Sequence, residues 1–184
     1  MNVGQRIIII GITGSGKSTL AKQLVHLFNA THIELDGLFW RERWTGTPDD
    51  EFEQAIVEAI HNAGNRWVVD GNYSRTRKLI WTGGDTLIWL DYPLHIIYWR
   101  LIRRTLYRVF SQQALWQGNR ETFKNIFLSR NSILLWAWTS YKKRHTIYTA
   151  IISNEFPNLT LLHFTQPQQT EMWLKQLQEA FRPY

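Results

Sequence analysis

Eight residues, Gly11-Ile12-Thr13-Gly14-Ser15-Gly16-Lys17-Ser18, satisfy every position of the pattern GxxxxGK(S/T) and stand directly behind the apolar run Ile7-Ile8-Ile9-Ile10. Four consecutive β-branched residues closed by a glycine read as a fully buried parallel strand. Behind Lys17, the residues Leu20, Ala21, Leu24, Leu27 and Phe28 recur at helical spacing. The order strand, glycine-rich turn, helix commits the chain to an α/β fold whose first turn can wrap a polyphosphate.

A polyphosphate carries several negative charges, and a loop surrounds it only if successive backbone N–H groups point inward, a conformation that Gly11, Gly14 and Gly16 permit. The helix N-terminus adds partial positive charge. Lys17 is expected to reach the β- and γ-phosphates and the Ser18 hydroxyl to ligate Mg²⁺. Gly11, Thr13, Gly14, Ser15, Gly16, Lys17, Ser18 and Thr19 are therefore the candidates for holding ATP, with Lys17 also catalytic.

At 184 residues the chain has the size of one domain, and a chain of this length buries about 70% of its unfolded surface. There are no cysteines, which excludes disulfides, thiolate zinc sites and cysteine nucleophiles and suits a reducing compartment. With no leader-like segment and no apolar run of spanning length, a cytoplasmic protein without membrane contact is expected. The net charge of +6 is uneven. Between His95 and His145 stand ten Lys and Arg (Arg100, Arg103, Arg104, Arg108, Arg120, Lys124, Arg130, Lys142, Lys143, Arg144) against one acid, Glu121. A cationic segment in an otherwise mildly acidic chain implies an anionic partner: a polyphosphate, a nucleic acid or a membrane surface.

Short apolar segments alternate with helical patterns. Arg6–Ile10, Thr31–Leu35, Trp67–Val69, Thr86–Leu90 and Leu159–Phe164 are strand candidates, while Phe52–Ile60, Leu94–Phe110, Ser132–Ile152 and Thr170–Phe181 carry helical spacing. The alternation predicts a single domain over 1–184, built on a five-stranded parallel sheet with helices on both faces. Two connections exceed what a crossover needs, 37–62 and 94–157. Leaving the carboxyl ends of the strands, they read as an acceptor-side flap and as a hinge helix, lid and return helix.

Two acids close strands at that edge. Asp70, in Trp67-Val68-Val69-Asp70-Gly71-Asn72-Tyr73, is placed to complete a Mg²⁺ site with Ser18 or to form a turn before Gly71. Asp36, behind the second strand, is placed to accept a hydrogen bond from an acceptor hydroxyl or to act as its general base. Phe39, Trp40 and Trp44 follow, with rings that stack on an acceptor or fill the core. Arg100, Arg104 and Arg108 are spaced by four on one helix, and guanidinium groups suit phosphate oxygens. Arg100 and Arg104, at the hinge, are the candidates for phosphate contact.

Together these residues resemble the nucleoside-monophosphate kinases, adenylate kinase above all. Asp70-Gly71-Asn72-Tyr73-Ser74-Arg75-Thr76 is similar to that family's DGFPRT segment with one residue added, and Pro93 precedes Arg100 and Arg104 at the spacing of its lid-hinge arginines. The resemblance implies a P-loop fold with a helical lid, Arg100 against the adenine, Arg104 on the phosphates, Arg75 on an acceptor phosphate, and Arg120 and Arg130 as lid arginines. It makes Arg104 and Arg120 catalytic candidates and puts Asn72 and Tyr73 with Trp40 on the acceptor side. Across nearly the whole chain, Leu35-Asp36-xxx-Trp40, Leu90-Asp91-Tyr92-Pro93 and Gly118-Asn119-Arg120-Glu121 resemble the FlaR-related topology modulation proteins, a branch of those kinases. Asp36 resembles the hydroxyl-binding Asp of shikimate kinase-like enzymes, so the implied acceptor need not be AMP.

The expected function is transfer of the γ-phosphoryl of ATP to a nucleotide, nucleoside or other hydroxyl compound, with Mg²⁺. The alternative is a nucleic-acid-binding topology modulator regulated by nucleotide. For it speak the basic segment, interleaved with Trp116, Phe123, Trp136 and Trp138, and the family label. Nucleic-acid contact through phosphates alone would be weak and non-specific. A regulatory GTPase is disfavoured because no NKxD motif occurs.

Overall fold

The run Ile7–Ile10 is buried on both sides, which is why its sequence is continuously apolar rather than alternating. The computed structural model describes residues 3–120, 148, 151 and 155–181. In chain order these form β1 (Arg6–Gly11), α1 (Lys17–Phe28), β2 (Thr31–Glu34), α2 (Leu35–Phe39), α3 (Asp49–Ala63), β3 (Trp67–Asp70), α4 (Arg77–Trp81), β4 (Thr86–Leu90), α5 (Leu94–Phe110), β5 (Thr160–Phe164) and α6 (Pro167–Ala180). Single 3₁₀ turns lie at Glu42–Trp44 and Trp116–Gly118.

All strand pairs are parallel, in the order β2-β3-β1-β4-β5. The chain leaves β1 first toward β2 and β3 and later toward β4 and β5. The topological switch therefore lies at the carboxyl end of β1, where the glycine-rich turn begins. Strand alternation divides the core between the faces. Ile7, Ile9, Val68 and Ile88 meet Leu20 and Leu24 of α1, Leu101 of α5 and Leu177 of α6, whereas Ile8, Ile10 and Val69 meet Leu35, Phe52, Ile56 and Ile80 of α2, α3 and α4.

The five-stranded parallel sheet agrees with the expectation, and α5 spans the residues that the spacing predicts. Several boundaries differ by a few residues, and local features account for three of them. Leu35 leaves the strand and opens α2, burying its side chain, so Asp36 sits in a first helical turn. The helix expected from Phe52 starts at Asp49, behind Pro48 and with Asp49, Asp50 and Glu51 in its first turn, where acids suit the helix dipole. The last helix starts at Pro167, set by a capping box between Gln166 and Gln169. The five-residue helices α2 and α4 are too short to show a period. The helix expected over Ser132–Ile152 lies outside the described residues except Tyr148 and Ile151, as do Glu121, Phe123, Lys124, Arg130, Trp136, Trp138 and the Lys142–Arg144 run.

Candidate active site

The loop behind β1 is pressed against β4. A Cβ at Gly11 would lie 2.6 Å from the Leu90 carbonyl oxygen and 2.7 Å from Ser15 Oγ. Gly16, the N-cap of α1, has φ +98° and brings no side-chain cap, so the first N–H groups of the helix remain open. Ser15 N donates to Ile12 O at 3.0 Å, and Lys17 Nζ folds back onto Ile12 O at 3.2 Å. Ser15 is 1% exposed, and its hydroxyl oxygen has no hydrogen-bond partner among the described residues. A cradle lined by N–H groups, one ammonium and an orphaned hydroxyl fits a polyphosphate. Ser18 is half-buried on the first turn of α1 and Thr19 is exposed.

Helix α5 crosses this loop. Arg100 Nη1 donates to Ser15 O at 3.1 Å while its guanidinium lies 5.3 Å from the centre of the Tyr92 ring. One turn on, Arg104 Nη2 donates to Thr13 Oγ1 at 3.3 Å. Both arginines thus frame the loop from one side, as their spacing on one helix face requires.

On the other side, Asp70 pairs in register with Ile9 of β1 and is 2% exposed. His32 Nε2 lies 3.0 Å from its Oδ1. Among the described residues no group of three His, Asp or Glu side chains is placed to hold a metal. Ser18 on the first turn of α1 and Asp70 at the end of β3 are the residues the sequence suggests for Mg²⁺, which keeps waters and substrate phosphates in its shell; Asp70 is already met by His32.

Of the acceptor-side candidates, Tyr73 is bonded to Asp36, and Asn72, Arg75 and Trp40 have other partners. The Tyr73 hydroxyl donates to Asp36 Oδ1 at 2.6 Å. Burial, reinforced by the charge of Asp36 and this hydrogen bond, pushes the Tyr73 phenol well above its ordinary range, so it stays a donor. Asn72 Nδ2 reaches Gly11 O at 3.4 Å, and its Oδ1 accepts the hydroxyl of Tyr148. Arg75 is ion-paired with Asp49 and lies over the rings of Phe39 and Phe52, at 5.1 and 5.6 Å. Trp40 is half-buried between Phe39 and Trp44, with ring centres 4.8 and 5.5 Å away.

Arg120 is exposed, and its carbonyl accepts Trp44 Nε1–H at 3.3 Å. The segment that carries it docks on the flap through Asn119, 6% exposed. Asn119 Oδ1 accepts Trp44 N–H at 2.9 Å, and its Nδ2 donates to Arg41 O and Trp116 O, both at 2.8 Å. Trp116 Nε1 donates in turn to Glu34 Oε2 at 2.9 Å, and its ring covers Gly37. Sequence reasoning assigned no role to Glu34, Asn119 or Tyr148, and it counted Trp116 with the basic segment of the nucleic-acid reading. Glu34 carried a signal as an acid two residues before Asp36 at a strand end, and Asn119 as part of Gly118-Asn119-Arg120-Glu121.

No family model matches the chain. It is 26% identical over 141 residues to the shikimate kinase of Synechococcus elongatus, a stretch covering 65% of this chain and 73% of that protein. Among solved structures, the shikimate kinase from Acinetobacter baumannii in complex with shikimate matches with a TM-score of 0.56 at 14% identity, over 95% of this chain and 91% of that one. A gluconokinase from Sinorhizobium meliloti 1021 matches with a TM-score of 0.53 at 18% identity, over 98% and 97% of the two chains. The fold is that of the P-loop kinases, consistent with the adenylate kinase-like architecture expected from the motifs. Among the described residues no helix is long and apolar enough to cross a membrane.

Proposed function

We propose that the chain is a Mg²⁺-dependent cytoplasmic kinase that moves the γ-phosphoryl group of ATP to a hydroxyl of a small molecule. The observation that carries this reading is the placing of two functional groups at one sheet edge: a phosphate cradle closing β1 and a Tyr73-supported carboxylate, Asp36, directly after β2. The relatives' names, shikimate kinase and gluconokinase, support the same reaction class. The motifs around Asp36, Asn72, Pro93 and Asn119 favour the FlaR-related branch within it.

Mg·ATP brings the transferable phosphoryl group and the metal's charge. The loop N–H groups, Lys17 and the Ser15 hydroxyl would hold the phosphates, while Ser18 and Asp70 would hold the metal. Arg104 meets the charge that spreads over the transferring group, Arg100 fixes the loop beside the base, and Arg120 closes from the lid. Asp36 receives the acceptor's hydroxyl proton. Because Tyr73 occupies its Oδ1, the carboxylate presents Oδ2 to that hydroxyl.

Saturating Mg·ATP, at about a hundred times its Kd, should stabilise the wild type by about 2.7 kcal/mol, roughly 5–10 °C in Tm. Lys17→Ala should lose most of that shift. An equal shift in the variant overturns the assignment of the loop.

A further inference from the structure

Charge on the acceptor side is distributed unevenly. Two arginines that stand there are neutralised in place, Arg75 by Asp49 and Arg41 by Glu51. Arg75 is further engaged by the rings of Phe39 and Phe52. Arg77, on α4, stacks on Trp81 and Tyr148 at 5.3 and 5.4 Å. The carboxylates of Glu34 and Asp36 are met differently. Each accepts one hydrogen bond from an uncharged donor, Trp116 Nε1–H and Tyr73 O–H, and neither has a cationic partner among the described residues. Both are half-buried, so their fields are less screened than on an open surface.

Beside these acids lies a row of indoles. Trp40 and Trp44 have ring centres 5.5 Å apart, and Trp44 and Trp116 6.4 Å. The row is assembled from both long connections and fixed by the three hydrogen bonds of Asn119. Carboxylates accept hydrogen bonds from hydroxyls and repel anions, while indole faces take apolar ring or C–H surfaces. A phosphate or carboxylate entering beside Glu34 and Asp36 meets two like charges, while Arg75 and Arg41, the arginines that the described residues pair on this side, are already met by Asp49 and Glu51.

We infer that the acceptor is a ring-bearing hydroxyl compound without carboxylate or phosphate, a nucleoside or a neutral sugar by chemical class, selected by Glu34 and Asp36 with the indole row. The inference rests on the kinase reading and sets aside an acceptor phosphate on Arg75. It is also a choice against the anionic acceptors named with the structural relatives.

The test is γ-labelled ATP offered to the full chain with matched acceptor pairs that differ in charge: adenosine and AMP, glucose and glucuronate, methyl shikimate and shikimate. The neutral member of the accepted pair should be phosphorylated with a kcat/KM at least tenfold higher than its anionic partner. Asp49→Asn, which releases Arg75, should narrow that gap. Equal or better transfer to the anionic member overturns the inference while leaving the kinase reading in place, and an unchanged gap in Asp49→Asn overturns the role given to the Arg75–Asp49 pair. Transfer to no member of any pair overturns the inference, and the absence of a Mg·ATP thermal shift in the same preparation overturns the kinase reading with it.

Discussion

The hydroxyl of Tyr73 donates to Asp36 Oδ1 at 2.6 Å, tying the loop behind β3 to the first turn of α2. A hydrogen bond to a charged acceptor in a partly buried setting is worth about 1.5–3 kcal/mol and fixes which oxygen remains for a substrate.

Because its folded-state pKa is raised above the ordinary 10.0, Tyr73 contributes stability that is fully present below about pH 10 and is lost as pH rises beyond it, where the unfolded phenol ionises. The slope from this one group is about 1.4 kcal/mol per pH unit. Denaturant titrations of wild type and Tyr73→Phe between pH 8 and 12 should therefore converge above pH 10, with the wild type more stable below. Curves that stay parallel would remove the buried donor from the account.

Asn119 ties the segment after α5 to the one after α2 through two hydrogen bonds, with Trp44 N–H and Arg41 O, and makes a third to Trp116 O within its own turn. Asn119→Ala should cost about 1–3 kcal/mol, a fall of roughly 3–10 °C in Tm. Asn119→Asp should do no better, since it keeps the acceptor for Trp44 N–H but turns a carboxylate toward the carbonyls of Arg41 and Trp116. A melting curve that rescues in Asn119→Asp would show that the two donated bonds contribute nothing.

Gly11→Ala places its Cβ within 2.6 Å of a strand backbone oxygen, which has no room to yield. Overpacking of this kind costs about 1–3 kcal/mol, and the displaced loop should also lose the Mg·ATP shift. Calorimetry with and without nucleotide reads both effects, and an unperturbed melt would contradict the close approach to β4.

Arg104, bonded to Thr13 within the loop, should act on the transition state. Arg104→Ala should lower kcat on the order of 10³-fold with nearly unchanged Mg·ATP affinity. A change confined to KM would assign it to ground-state binding.

The phosphate loop and the sheet were legible in the chain because each rests on a local pattern: glycines at fixed offsets, four β-branched residues in a row, helical periods in α1 and α5. Asp36 and Asp70 were legible as acids at strand ends, where an open α/β sheet puts its chemistry. The partners of these residues were not. Tyr73 and Asp36 are 37 positions apart and meet because β2 and β3 are neighbours in the sheet, while Trp116 and Glu34 are 82 apart and meet because the connection after β4 folds back over it. The Asp49 that engages Arg75 belongs to a helix start 26 residues upstream, so charge counting along the chain left that arginine available. Asn119 stood in a recognisable string, yet its role appears only when the flap is seen beneath it.

The most direct test is transfer of label from γ-labelled ATP to the best acceptor by wild type, Lys17→Ala and Asp36→Asn, with the Mg·ATP thermal shift measured on the same samples. The wild type should show both transfer and shift, and Lys17→Ala neither. Asp36→Asn should keep the shift while losing transfer by about 10²–10⁴-fold, the scale of a general base. Full turnover by Asp36→Asn would contradict the pairing of phosphate loop and carboxylate on which the account stands.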